Sequence, residues 1–245
     1  MKKIFLLPFC ALMLFLVSCG TTSRGTLAEA FPEMYTENPP VSILVMPPIN
    51  KTTNVDAKDY FYYTLHRNLA DGGYYVFPSF LAMQTLQTES AYDSEMFFDG
   101  DISKFGQTFG ADLLLFTTIE SWDKSAVLSE TEVEISYTLR STATGATVWS
   151  QKYDYTYDAV DTTWRNALGQ QPLLLGFGYF IGYAIDKAVA SAKTALTDYV
   201  RVARSCNYFA LTSLPAGKYS PNVGQDGTKD AGPEAGGMHS HYTYN

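Results

Sequence analysis

The hydrophobic positions of the first half alternate between short continuous runs and four-residue spacings. Val41 to Met46 is an apolar run ended by Pro47 and Pro48, the pattern of a strand buried on both faces. A polar loop over residues 49–54 follows. Asp56 then caps a predicted helix in which Phe61, Leu65 and Leu69 recur every fourth residue, and Asp71, Gly72 and Gly73 stop it. Tyr74 to Phe77 predicts a second short strand, and Ser79 caps a helix running through Met83 and Leu86. Asp101 begins another helix that ends at Phe109 and Gly110, before a two-sided apolar strand from Ala111 to Ile119. This order of strands and helices predicts parallel pairing with helical crossovers.

The second half has a different period. Val127, Ser129, Thr131, Val133, Ile135, Tyr137 and Leu139 occupy alternate positions, with Glu130, Glu132, Glu134 and Arg140 between them, which marks a strand with one wet face. Residues 142–145 make a turn, and Thr147 to Tyr157 returns with Trp149, Tyr153, Tyr155 and Tyr157 on one side. The expected fold is therefore a single α/β domain, three-layer-like, with flanking helices and a mixed sheet that is parallel in its first half and an antiparallel hairpin in its second. From Pro172 to about Arg204 one or two further helices are expected. Gly178, Gly182, Ala184, Ala188 and Ala192 put small residues at near four-residue spacing there, which suits close helix packing in the core or at a subunit contact.

The N-terminus carries an address. Lys2 and Lys3 precede 14 apolar residues from Ile4 to Val17, too short to span a bilayer and suited to a signal peptide. Leu16, Val17, Ser18 and Cys19 resemble the bacterial lipobox, whose cysteine becomes acylated. Residues 1–18 are accordingly read as a lipoprotein signal peptide, 19–40 as the lipidated Cys19 and a tether, 41–219 as the folded domain and 220–245 as a disordered tail. The tether, 21 positions after Cys19, would reach roughly 70 Å when extended. The tail has five Gly, two Pro and no Ile, Leu or Phe. Gly20, where an Asp would retain a lipoprotein at the inner membrane, implies the outer membrane, lipid-anchored and facing the periplasm.

Charge narrows the possible partners. The 245 residues carry 17 Lys and Arg against 25 Asp and Glu; loss of Lys2 and Lys3 leaves 15 bases facing 25 acids, a net charge of −10. Such a balance argues against nucleic acid and against electrostatic attachment to anionic lipid. The hydrophobic share of 46% suits a globular domain, with 18 Tyr and 15 Phe standing where charged residues usually would.

Candidate chemistry is sparse. His66 lies on a polar helix side, and His239 with His241 would supply only two metal ligands. No phosphate loop, zinc-binding His-Glu-x-x-His or nucleophile elbow occurs, so no catalytic residue, metal or cofactor is assigned. Cys206 reads as a buried free thiol. Asn50 and Lys51, beyond the carboxyl end of the first strand, are the candidate ligand or partner loop. The Tyr62–Tyr63 and Tyr74–Tyr75 doublets and the tyrosines of 153–157 are either packed aromatics or a binding face.

Several blocks carry a family resemblance. Residues 42–51 (SILVMPPINK), Tyr60 with Phe61, 69–78 (LADGGYYVFP), 109–115 (FGADLLL), 119–122 (IESW) and 214–219 (LPAGKY) resemble, in order, the bacterial lipoproteins grouped as domain of unknown function 799. That resemblance implies a domain similar to the N-terminal domain of TolB and to the curli secretion lipoprotein CsgG. It supplies no reaction, and this sequence lacks the paired long amphipathic hairpins of a CsgG pore. The expected role is a non-enzymatic, periplasm-facing component of an envelope protein assembly, with other envelope proteins and copies of itself as partners. The alternative is a lipoprotein binding a small ligand or glycan through the loop at 47–54.

Overall fold

The computed structural model describes residues 23–125, 130–158 and 199–233, and the backbone of 238–243. Its centre is a mixed sheet ordered β3-β1-β4-β5-β6-β7. Strand β1 (Ser42–Val45) has all four residues buried, as its unbroken apolar run requires. It pairs in parallel with β3 (Tyr75–Val76) on one side and β4 (Leu113–Ser125) on the other, with Ile43 opposite Leu113. Asp112 stitches the start of this pairing: its carboxylate accepts from the Val41 and Ser42 amides at 2.8 and 3.0 Å.

The expected loop after the two prolines is shorter than the sequence suggests. Met46 still donates to the Leu115 carbonyl, at 2.9 Å. Pro47 and Pro48 have no N–H to continue the ladder, and pairing resumes at β2 (Ile49–Asn50), with Ile49 opposite Thr118.

Alternation along β4 creates two cores. Leu113, Leu115 and Ile119 face the cluster containing Phe61, Leu65 and Leu69 of α2 (Ala57–Asp71). Leu114 and Phe116 face the opposite cluster, where Leu86 of α3 (Ser79–Thr88) meets Phe105 of α5 (Ser103–Phe109) and Ile102, which immediately precedes that helix. A further short helix, α4 (Glu95–Phe98), precedes α5. Each fully buried Leu contributes roughly 1.5–3 kcal/mol, so these two layers of helices hold the sheet from both sides.

Strands β5 (Glu130–Ser141) and β6 (Thr147–Asp158) form the predicted hairpin, antiparallel to each other, and β5 also pairs antiparallel with β4. Thr131, Val133, Ile135, Tyr137 and Leu139 are buried in a row, and so are Trp149, Tyr153, Tyr155 and Tyr157 on β6. These tyrosines are packed aromatics. Helix α6 (Tyr199–Ala210) covers this face beside α2: Tyr137 donates to Asn207 Oδ1 at 2.6 Å, and Asn207 Nδ2 donates to Thr64 Oγ1 at 2.9 Å. The other face of the hairpin carries Glu132, Glu134 and Lys152, with Lys152 paired to Glu134.

Two boundaries differ from the composition-based expectation. Residues 23–40, expected as tether, begin with α1 (Leu27–Ala30) and a 3-10 turn over Pro32–Tyr35, and they bury Leu27, Phe31 and Met34. Residues 220–233, expected as disordered, pack against them: Arg24 N–H donates to the Gly232 carbonyl at 3.2 Å and Ala231 N–H to the Gly25 carbonyl at 2.9 Å. Each segment satisfies the other's backbone groups, a pairing invisible when each composition is judged alone. Strand β7 (Met238–Thr243) then adds in parallel to β6, with Tyr153 opposite Met238.

Gly73 joins α2 to this arrangement. It has φ +92°, and a Cβ there would lie 2.3 Å from the Ser220 nitrogen. Gly110, at φ +70°, has open space around the same position. Gly110→Ala should therefore cost only the left-handed backbone term of about 1–2 kcal/mol, and Gly73→Ala at least about 3 kcal/mol. Urea unfolding midpoints check this; equal losses would contradict the collision with Ser220.

Candidate functional site

The candidate loop at Asn50 and Lys51 is closed on itself. Asn50 Oδ1 accepts from the Thr52 amide and hydroxyl at 3.0 and 2.8 Å, and Asn50 Nδ2 donates to the Asn54 carbonyl at 2.7 Å. Lys51 Nζ pairs with Glu120 at 2.8 Å. A side chain whose donors and acceptor already hold its own turn is a turn former first. Nearby, Ser94 Oγ donates to the Pro47 carbonyl at 2.5 Å, which covers the strand exit.

Arg140, expected on a wet face, is also a structural hub. Its guanidinium donates to the Gly145 carbonyl through Nε and Nη2, at 3.0 and 2.8 Å, and through Nη1 to the Phe98 carbonyl at 2.6 Å. One planar fork thus ties the β5–β6 turn to the end of α4.

The same principle operates at the N-terminal segment, where sequence reasoning missed it. Arg24 Nη1 donates to the Ser150 carbonyl at 2.8 Å; Nη2 donates to the Ala231 carbonyl at 2.9 Å and to Gln151 Oε1. Its guanidinium carbon also sits 5.1 Å from the centre of the Phe31 ring. Behind Arg24, Thr26 and Glu29 form a reciprocal capping box, and the Thr26 amide holds the Glu29 carboxyl below its ordinary value. The signal was present in the sequence: Thr26-x-x-Glu29 begins an N-terminus, and Leu27, Phe31 and Met34 recur at offsets of four and three.

Cys19 and the small-residue positions Gly178, Gly182, Ala184, Ala188 and Ala192 lie outside the described residues. Among the described residues, no group of three or more His, Cys, Asp or Glu could hold a metal ion, and no helix is long and apolar enough to cross a membrane. Of the tyrosine doublets, Tyr62 and Tyr74 are buried, whereas Tyr63 and Tyr75 are about half exposed, at 53% and 51%.

The fold is thus a mixed-sheet α/β domain whose N- and C-terminal segments lock together over β6. The chain belongs to the family described as "Putative lipoprotein GNA1162-like", whose model matches residues 33–197. A relative in Neisseria meningitidis serogroup B, described as "Putative lipoprotein NMB1124/NMB1162", is 28% identical over 118 residues, 47% of this chain. The matched stretch is 55% of that relative, so the chain spans about half its length. Among solved structures, lipoprotein GNA1162 from Neisseria meningitidis aligns with a TM-score of 0.46 at 22% identity, over 61% of this chain and 99% of that one. The PelC dodecamer from Paraburkholderia phytofirmans aligns at 0.40 and 15% identity, over 80% and 93%.

Cys206 lies on α6. It is free and fully buried, and burial pushes its thiol well above the ordinary value, so the nucleophilic thiolate is suppressed. The peptide carrying Cys206 should resist alkylation in the native protein and react fully in denaturant, as read by mass spectrometry. Native labelling at the rate of a free thiol would contradict its burial.

Proposed function

We propose that this protein is a lipoprotein acylated at Cys19, held in the outer membrane facing the periplasm, where it serves as a non-enzymatic component of an envelope protein assembly. The carrying observation is the conjunction of the leader and lipobox at residues 2–19 with membership of a lipoprotein family. The absence of polybasic attraction in an acidic chain leaves hydrophobic anchoring as the attachment: about 0.8 kcal/mol per buried CH₂ makes a single acyl chain marginal and several effectively permanent. Kinship with the TolB N-terminal and CsgG group is part of this proposal, supported by the ordered sequence blocks between residues 42 and 219.

The folded N-terminal segment changes how such an anchor would work. Ser23 already bridges Pro233, so at most four residue steps would separate Cys19 from the domain. At full extension they reach roughly 14 Å, against the 70 Å of a 21-residue tether. The domain would be held close to the bilayer, and partners would have to meet it there. Copies of the chain anchored in the same leaflet would share one height, which favours lateral self-association.

Cys19→Ala should abolish metabolic lipid labelling and release the protein from the membrane fraction, while leaving the fold intact by circular dichroism. Unchanged fractionation would contradict the anchor. In-cell cross-linking of the wild-type protein should recover copies of itself or envelope proteins, and a strict monomer would contradict the assembly role.

A further inference from the structure

Helices α2 and α6 lie side by side and point the same way: Tyr60 stacks on Tyr199 at 5.6 Å, and four residues further along α2, Thr64 accepts from Asn207. Their outer faces border a cavity of about 460 Å³, within the range of small-ligand sites. Along it α2 presents Tyr63 and then Arg67, and α6 presents Arg204 and then Tyr208. Because the helices are parallel, tyrosine and arginine alternate across the groove.

The electrostatics of this groove run against those of the molecule. The chain carries a net charge of −8, yet the residues lining the groove include Arg67 and Arg204 and no acidic residue. Arg67 meets Asp71 only at 3.5 Å and only through Nε, with both side chains largely exposed, a weak pair that leaves its two Nη groups free for a ligand. Tyr63 and Tyr208 are 53% and 59% exposed; each meets one chain neighbour edge-on, Tyr62 at 5.1 Å and Phe209 at 5.3 Å, and keeps about half of its surface open for a ligand. Asn68, also on the wall, has a buried side-chain amide nitrogen with no hydrogen-bond acceptor. Buried donors without partners are rare enough to need a reason.

We propose that the α2–α6 groove binds an anionic sugar, with Arg67 and Arg204 clamping its acidic group and Tyr63 and Tyr208 packing on its ring faces. Guanidinium forks match the planar geometry of a carboxylate and can hold it bidentately. Tyrosine rings suit the C–H faces of a pyranose while their hydroxyls stay wet. Rotation of the Asn68 amide toward the groove would give it a sugar oxygen as acceptor. A plain anion would leave the aromatic walls unused, and a neutral sugar would leave both arginines unmatched.

The test is calorimetric titration of the full chain in detergent with trigalacturonate, maltotriose, inorganic phosphate and triglutamate. Trigalacturonate should bind, weaken as salt is raised, and outcompete the neutral maltotriose by about tenfold or more. Arg204→Ala should weaken it about tenfold, with Arg204→Lys recovering only part of the loss. Tyr208→Ala should weaken trigalacturonate severalfold, with no change in melting temperature, since both side chains are exposed. Phosphate binding as tightly as trigalacturonate would reduce the groove to a simple anion site, and equal binding of triglutamate would make it a peptide site; either overturns the proposal. So would trigalacturonate binding that is absent or indifferent to both Arg204→Ala and Tyr208→Ala.

Discussion

The guanidinium of Arg24 closes the structure. Strand β6 is the last strand of the hairpin, and its outer edge would otherwise present unpaired backbone groups beside a row of buried aromatics, a template for pairing with other chains. The edge is covered in two pieces: β7 pairs with residues 153–158, and Arg24 takes the Ser150 carbonyl in the half before it. By also donating to the Ala231 carbonyl, the same side chain joins segments more than 200 positions apart in sequence. Hydrogen bonds to a charged group contribute roughly 1.5–3 kcal/mol each, and they add to the burial of Leu27, Phe31 and Met34 in holding the belt.

The belt protects what the hairpin alone cannot. Trp149 is fully buried; Phe31 lies against it at a ring separation of 6.5 Å, and its indole N–H donates to the Ser213 carbonyl at 3.1 Å. Behind the belt, Tyr35 and the Ala216 amide both donate to Asp226, at 3.1 and 2.7 Å, and burial together with that carboxylate pushes the Tyr35 phenol up. Gly217 N–H donates to the Gly72 carbonyl at 3.0 Å, so the LPAGKY block is the seat on which the end of α2 rests. The C-terminal segment is thereby tied to the N-terminal helix, the hairpin and α2.

Legibility in the sequence followed the range of the forces involved. The period of two in 131–139, the four-residue spacing of Phe61, Leu65 and Leu69, and the break at Pro47 and Pro48 are local consequences of burial and backbone chemistry, and each element appears where its pattern lies. The belt was not legible by composition, because segments 23–35 and 220–233 look insufficient singly and become ordered through each other. Asn50 stood out as a polar residue beyond a strand, a place where ligands often bind, but its bonds to Thr52 and Asn54 belong to the turn. The groove between α2 and α6 escaped notice because its residues come from helices separated by more than 120 positions, whose direction and spacing no local pattern reports.

Hydrogen–deuterium exchange on the full chain measures the belt directly. Amides of Leu27, Ala28 and Ala231, all hydrogen-bonded across the belt, should exchange slowly in wild type and fast in Arg24→Ala, while those of β4 and β5 stay protected in both. Fast exchange of the belt amides in wild type, at the rate of an unstructured tether and tail, would contradict the account.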